Sequence, residues 1–301
     1  VTKRIDNILR AVCAEPWAII HGKLEAILEF LALRADGVVF SAEEIASRVG
    51  EGQRTPAKAN GVAVIPIYGI ISHRTVMNMS GPGTTSTLAI GRALDEALGN
   101  PDVGGILFDV DSPGGTTSGV MEVAQKIFDA RGQKPMIAIA NAMMASAAYF
   151  IGSAADEVVV TPSGHSGSIG VYTVHVDQSK MNEQLGIKPT IVSAGKFKVE
   201  GNTTEPLSDE ARGALQQLVD DAYAQFVNAV AKHRGATPSE VRDGFGEGRV
   251  LSADRSVEAR LADRVATFDE TLARLANPRR AASVGKNRAT AARRLSLLEQ
   301  Q

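Results

Sequence analysis

The apolar residues change period several times along the chain, and each change marks an element. Gly61–Ile71 (GVAVIPIYGII) is a nearly unbroken apolar run bounded by polar residues, the pattern of a strand buried on both faces. A Gly/Ser/Thr-rich loop follows to Ser86, after which Leu88, Ala93, Leu94 and Leu98 fall on one helical stripe. The same alternation predicts strand 105–110, helix 118–130, strand 136–140, helix 145–154, strand 157–161, helix 178–185 and strand 188–192. Strands separated by helices need crossover connections, so the expected class is α/β, a parallel sheet built from successive βα units. Residues 208–233 read as one long helix with Ala211, Leu215, Leu218, Ala222, Phe226 and Val230 toward a core, and shorter helices continue to about Ala276.

The ends read differently. Before residue 50, Leu24, Ile27, Leu28 and Leu31 recur at helical spacing, and Ser41 with Glu44 forms a capping-box signature. Residues 1–50 are therefore expected to form a small helical appendage. Residues 51–60 (EGQRTPAKAN, counting from Glu51) are polar and apolar-poor, as a linker would be, and place the main domain at 61–276. From 277 to 301 the basic residues Arg279, Arg280, Lys286, Arg288, Arg293 and Arg294 face only Glu299, the composition of a solvated terminus or of an electrostatic interaction tail.

Composition narrows the class further. The 301 residues carry a formal net charge of −2, too balanced for a protein that grips nucleic acid along its surface, and 44% hydrophobic content suffices for a large core. Cys13 is the single cysteine and the five histidines are scattered, so neither a disulfide framework nor a zinc cluster is expected. Asp6, Asn7 and Arg10 interrupt the first apolar residues, which reads as a cytosolic start rather than a signal sequence. The uncharged stretch from Pro135 to Ala155 is long enough to span a bilayer, yet Asn141, Ser146, Tyr149 and Ser153 would be costly in lipid. A buried strand followed by a buried helix accounts for it.

Four motifs at expected strand ends could carry chemistry. Asp111-Ser112-Pro113-Gly114-Gly115 puts paired glycines where backbone N–H groups can approach an anionic atom, although any tight strand-to-helix turn recruits Pro and Gly. Met143-Met144-Ala145-Ser146-Ala147-Ala148-Tyr149 sets a serine at a helix start, where it is either a nucleophile or a plain cap. Ser163–Val171 follows the next strand, and Ala194-Gly195-Lys196-Phe197-Lys198 follows the last. A lysine serves as general base only when uncharged, which requires burial; two solvent-facing lysines on a loop are the commoner arrangement.

In order and spacing, SPGG, MASAAY, SGSIGV and SAGKFK, followed by EPLSDEAR and a long helix ending near KHRG, resemble the signal peptide peptidase A family of serine–lysine peptidases, within the Clp-protease/crotonase superfamily. The resemblance covers about Gly61 to Phe268. It implies a spiral of βα units around a parallel sheet, with Ser146 as nucleophile, Lys198 as general base, Ser168 orienting the lysine amine, and Gly114 and Ala147 supplying oxyanion N–H groups. Lys196 would be a peripheral charge and His165 a rim residue. The implied reaction is acyl transfer to water with no metal or organic cofactor.

Membrane-bound members of that family carry an N-terminal anchor. Pro16-Trp17-Ala18-Ile19 followed by an amphipathic helix looks instead like the soluble members of tailed phages, which mature capsids by cleaving scaffold. The resemblance then implies a homo-oligomer acting on scaffold or capsid protein in the host cytoplasm, inside a procapsid, with no nucleic acid as substrate and no membrane anchor. Alternatives are a soluble bacterial signal-peptide-peptidase-like protease and a non-catalytic capsid-assembly platform. A crotonase-type acyl-CoA enzyme would share the scaffold but needs a carboxylate base and a CoA channel.

Overall fold

The computed structural model describes residues 16–35, 38, 40, 41, 44, 55–74 and 84–276; Cys13, residues 51–54 of the linker stretch and the basic tail 277–301 lie outside them. In chain order the described elements are β1 (Trp17–Ile19), α1 (His21–Ala35), β2 (Ala57–Ala59), β3 (Val62–Ser72), β4 (Thr84–Ser86), α2 (Thr87–Gly99), β5 (Gly105–Thr116), α3 (Val120–Asp129) and β6 (Met136–Ala145). Then come α4 (Ala147–Gly152), β7 (Glu157–Val160), β8 (His165–Gly167), α5 (Ser179–Gln184), α6 (Asp209–Arg234), α7 (Pro238–Gly244), β9 (Val250–Ser252), α8 (Ala253–Glu258), β10 (Arg264–Val265) and α9 (Phe268–Ala276).

The sheet runs β10-β7-β6-β5-β3-β2, with β10, β7, β6, β5 and β3 mutually parallel and β2 antiparallel at one edge. This is the α/β class expected from the alternating periods. Ile65, Ile67, Phe108, Val110, Ala138 and Ala140 face helices α2, α3 and α4 in one core, while Val62, Leu107, Ile137, Ile139 and Val159 face α9 on the other side. Burial on both faces explains why the strands read as unbroken apolar runs.

Register shifts break the ladders between Tyr68 and Ile70 on β3 and between Val110 and Ser112 on β5. Ser112 Oγ donates to the Gly69 carbonyl at 2.6 Å and bridges the two irregularities. Bulges re-aim a strand, and here they turn β5 so that it continues through Pro113-Gly114-Gly115 to Thr116 instead of ending at Val110. The second glycine makes the turn possible: a Cβ on Gly115 would lie 1.8 Å from the Ile71 carbonyl oxygen. Asp263 makes a two-armed ion pair with the guanidinium of Arg234, at 2.9 and 3.0 Å, and fastens the end of α6 to the chain entering β10.

Several sequence expectations change. The residues ahead of α1 form a strand, β1, which joins the main sheet antiparallel to β5, and residues 57–59 of the linker stretch form β2. Leu24 is buried as expected, whereas the side chains of Ile27, Leu28 and Leu31 lie outside the described ones. Ser41 and Glu44 exchange the two bonds of a capping box at 2.8 and 3.1 Å. Residues 188–192 do not form the expected strand: they are exposed, with Val192 at 93%. Among the described residues no strand pairs with their apolar run. The stripe of α6 is buried at Ala211, Phe226 and Val230, but Leu218 is 48% exposed, so among the described residues nothing covers it.

Candidate active site

Ser146 stands between the end of β6 and the first residue of α4, with φ 56° and ψ −119°. Such a backbone is strained for any residue with a Cβ, at a cost of about 1–3 kcal/mol, and persists only where its surroundings hold it. Two bonds do so: the Ser146 N–H donates to the Gly167 carbonyl at 2.8 Å, and the Phe150 N–H donates to the Ser146 carbonyl at 2.9 Å. The first extends the parallel pairing of β6 with β8, in which Ala145 faces Gly167. The side-chain hydroxyl donates to the Gly170 carbonyl at 3.4 Å, and the residue is 1% exposed.

Gly114 lies against this serine. Its φ of 106° suits glycine, and a Cβ there would meet Ser146 Cβ at 3.0 Å. The two glycines of the SPGG motif thus have separate tasks, Gly115 allowing two strands to close and Gly114 leaving space beside the hydroxyl. The Gly114 N–H donates to Ser112 Oγ at 3.2 Å, a contact that an incoming oxyanion would have to replace. Ala147 is the first helical residue, and its amide is among those a helix start leaves without an intrahelical acceptor.

Ser168 follows directly on β8, half-buried with φ 55°, its N–H donating to the Arg249 carbonyl at 2.8 Å. The structure thus brings Ser146, Gly114, Ala147 and Ser168 to one end of the sheet. Lys198 is exposed on the segment after α5 and makes no hydrogen bond to Ser146. Lys196 pairs with Glu210 at 3.3 Å and lies 4.4 Å over the Phe197 ring. His165 is exposed on β8, on the edge that pairs with Ser252.

Three contributors were not legible in the motifs. Ser112 and Gly170 lie inside them, but their roles depend on where Gly69 and the Ser146 hydroxyl fall in space. Tyr172 lies beyond β8, where its main chain bridges Trp17. Burial, and then the charge of Glu25, push its phenol up to about 12, so the ring stays neutral. The apolar run after Pro16 was the signal for β1, though its partner lies about a hundred residues away.

Comparison with known proteins places these observations in a family. Residues 129–282 match Peptidase family S49. The chain is 34% identical over 229 residues to the head-tail preconnector protein GP5 of Enterobacteria phage P21, covering 75% of this chain and 45% of that protein. It is 34% identical over 213 residues to the capsid assembly protease C of Escherichia phage lambda, covering 71% and 48%. Protease 4 of Salmonella typhi is 29% identical over 227 residues, covering 74% and 35%. The chain therefore spans about half the length, or less, of these three relatives.

Proposed function

The chain belongs to peptidase family S49, and on that premise we propose that it is a serine endopeptidase working through an acyl-enzyme on Ser146. The observation that carries this reading is the strained turn at Ser146 with Gly114 pressed against it. A hydroxyl held there has a helix start on one side and a side-chain-free strand on the other.

The reaction runs in two acyl transfers. Ser146 Oγ attacks the scissile carbonyl while its proton passes to a neutral lysine amine; the carbonyl oxygen turns toward the amides of Gly114 and Ala147. Each such donor contributes about 3–4 kcal/mol when it is aimed at developing charge. The C–N bond then breaks as the lysine returns its proton to the leaving amine. Water, deprotonated by the same amine, cleaves the ester and restores the serine. Ser168, one residue past β8, orients that amine.

Lys198 is the residue for this step, and we assign it to a neighbouring copy of the chain. Its own segment is exposed throughout residues 183–198, and Leu185, Ile187, Ile191, Val192 and Phe197 are large apolar side chains there that join no core among the described residues. A contiguous surface of this kind marks an interface. Packing against a second copy would cover these residues together with Leu218 of α6, and would carry Lys198 to the partner's nucleophile.

Two of the relatives named above are, by name, a capsid assembly protease and a head-tail preconnector protein. Scaffold or capsid protein in an assembling phage head, in the host cytoplasm, is the substrate this supports. Among the described residues no helix is long and apolar enough to cross a membrane. Mixing the Ser146→Ala and Lys198→Ala proteins tests the assignment: each alone is expected to be inactive on a casein-like substrate, and the mixture to recover part of the wild-type rate. A mixture that stays inactive beside an active wild type would place both residues in one chain's site.

A further inference from the structure

Ser146 stands between Gly114 and the chain beyond β8, whose Gly170 carbonyl accepts from its hydroxyl, and a stretch of this same chain lies between those two walls. β1 runs antiparallel to the end of β5, with Trp17 opposite Thr116, Ala18 opposite Gly115 and Ile19 opposite Gly114. On that side the Thr117 N–H donates to the Pro16 carbonyl at 3.3 Å, and the Ile20 N–H donates to the Pro113 carbonyl at 3.1 Å. On the other side Trp17 and Tyr172 exchange N–H to carbonyl bonds at 2.8 and 3.0 Å. A segment bonded along both edges by main chain is how an extended peptide is held by strand addition.

The segment also reaches the nucleophile. A Cβ on Gly114 would lie 2.2 Å from the Ala18 carbonyl oxygen, 3.0 Å from Ile19 Cα and 3.0 Å from Ser146 Cβ. One missing side chain therefore opens the space that the Ala18–Ile19 peptide and the serine share. Among the described residues, the buried side-chain oxygens without a hydrogen-bond partner are Thr116 Oγ1 and Tyr172 Oη, and both residues pair with Trp17 across the groove. Buried polar groups in a permanent core are satisfied. Thr116 and Tyr172 thus keep hydrogen-bonding capacity beside the segment that β1 occupies.

We propose that Pro16–Ile20 is an intrachain pseudosubstrate, which fills the peptide groove of Ser146 and keeps the enzyme latent until a substrate strand displaces it. The inference rests on the reading of Ser146 as nucleophile. It also gives the substrate a form: Trp17 and Ile19 pack with Ile70, Tyr172 and Val174, while Ala18 faces the opposite core. The groove therefore takes an extended peptide with a small residue between two large apolar ones.

The test compares the full-length wild type with Ala18→Arg, whose side chain has no room in a site 2% exposed, each with and without Ser146→Ala. Hydrolysis of a casein-like substrate is expected to rise at least tenfold in kcat/KM in Ala18→Arg and to vanish with Ser146→Ala in both. Equal, Ser146-dependent activity of wild type and Ala18→Arg would overturn latency and leave the peptidase reading standing. Activity in no form, or activity indifferent to Ser146→Ala, would remove that reading and the pseudosubstrate with it. A second measurement needs no change in the segment. A synthetic peptide spanning residues 15–20, added at millimolar concentration to the Ser146→Ala chain, is expected to speed amide exchange at Trp17 and Ile20; unchanged exchange with the peptide bound would contradict the proposal.

Discussion

The Ser146 N–H and the Gly167 carbonyl are joined at 2.8 Å, so the strained serine is held by the strand paired with β6 as well as by its own helix. The strain has a measurable consequence. Ser146→Gly removes the Cβ that makes φ 56° costly, at about 1–3 kcal/mol, and adds about 0.5–1 kcal/mol of glycine entropy. The variant is expected to be inactive and yet to melt a few degrees higher; a lower melting temperature in calorimetry would show that the turn is not strained.

The two glycines of the turn should fail in different ways. Gly115→Ala places a methyl group 1.8 Å from the Ile71 carbonyl and 2.7 Å from its nitrogen, main-chain atoms that cannot yield. Overpacking of this kind costs about 1–3 kcal/mol or more, and unfolding in urea is expected at a clearly lower midpoint. Gly114→Ala meets the Ala18 oxygen, the Ile19 main chain and the Ser146 side chain at the groove, so its larger effect is expected on kcat/KM.

Arg234 is buried at 8% exposure and holds both oxygens of Asp263. Among the described residues, Asp263→Ala leaves the guanidinium with the Arg260 carbonyl as its remaining acceptor, a loss of about 3–5 kcal/mol. Urea denaturation checks this, and a change below about 1 kcal/mol would mean that solvent reaches the arginine.

His233 sets an acid limit. Burial first, and then the charges of Arg131, Lys232 and Arg234, lower its pKa from 6.5 to about 3, while its Nδ1 lies 2.9 Å from Ser153 Oγ. The unfolded chain therefore takes up the proton first, and stability falls as pH drops from about 6.5 toward 3, with no contribution above that window. By pH 4.5 the loss is on the order of 2–3 kcal/mol. His233→Phe, which keeps the ring beside Phe128, should flatten this part of the stability profile; an unchanged slope would assign the acid loss to carboxylates.

Periodicity revealed the α/β class and most element positions because strands buried on both faces and amphipathic helices leave unmistakable runs. It missed β1, whose three residues gain their place from the distant Gly114–Thr116 edge and from Tyr172. It also over-read residues 188–192, whose apolar side chains resemble a strand's although no strand among the described residues pairs with them. At the site, the motif order pointed to Ser146, Gly114, Ala147 and Ser168, which do meet at one end of the sheet. Lys198 shows the limit: its motif is as clear as the others, but a motif does not say which copy of the chain a side chain serves.

The most direct test is mass spectrometry of a casein-like protein after incubation with wild type, Ser146→Ala and Lys198→Ala. Ser146 as nucleophile and Lys198 as base require fragments with the wild type and none with either variant. Fragments of the same masses and yield from Ser146→Ala would contradict the assignment.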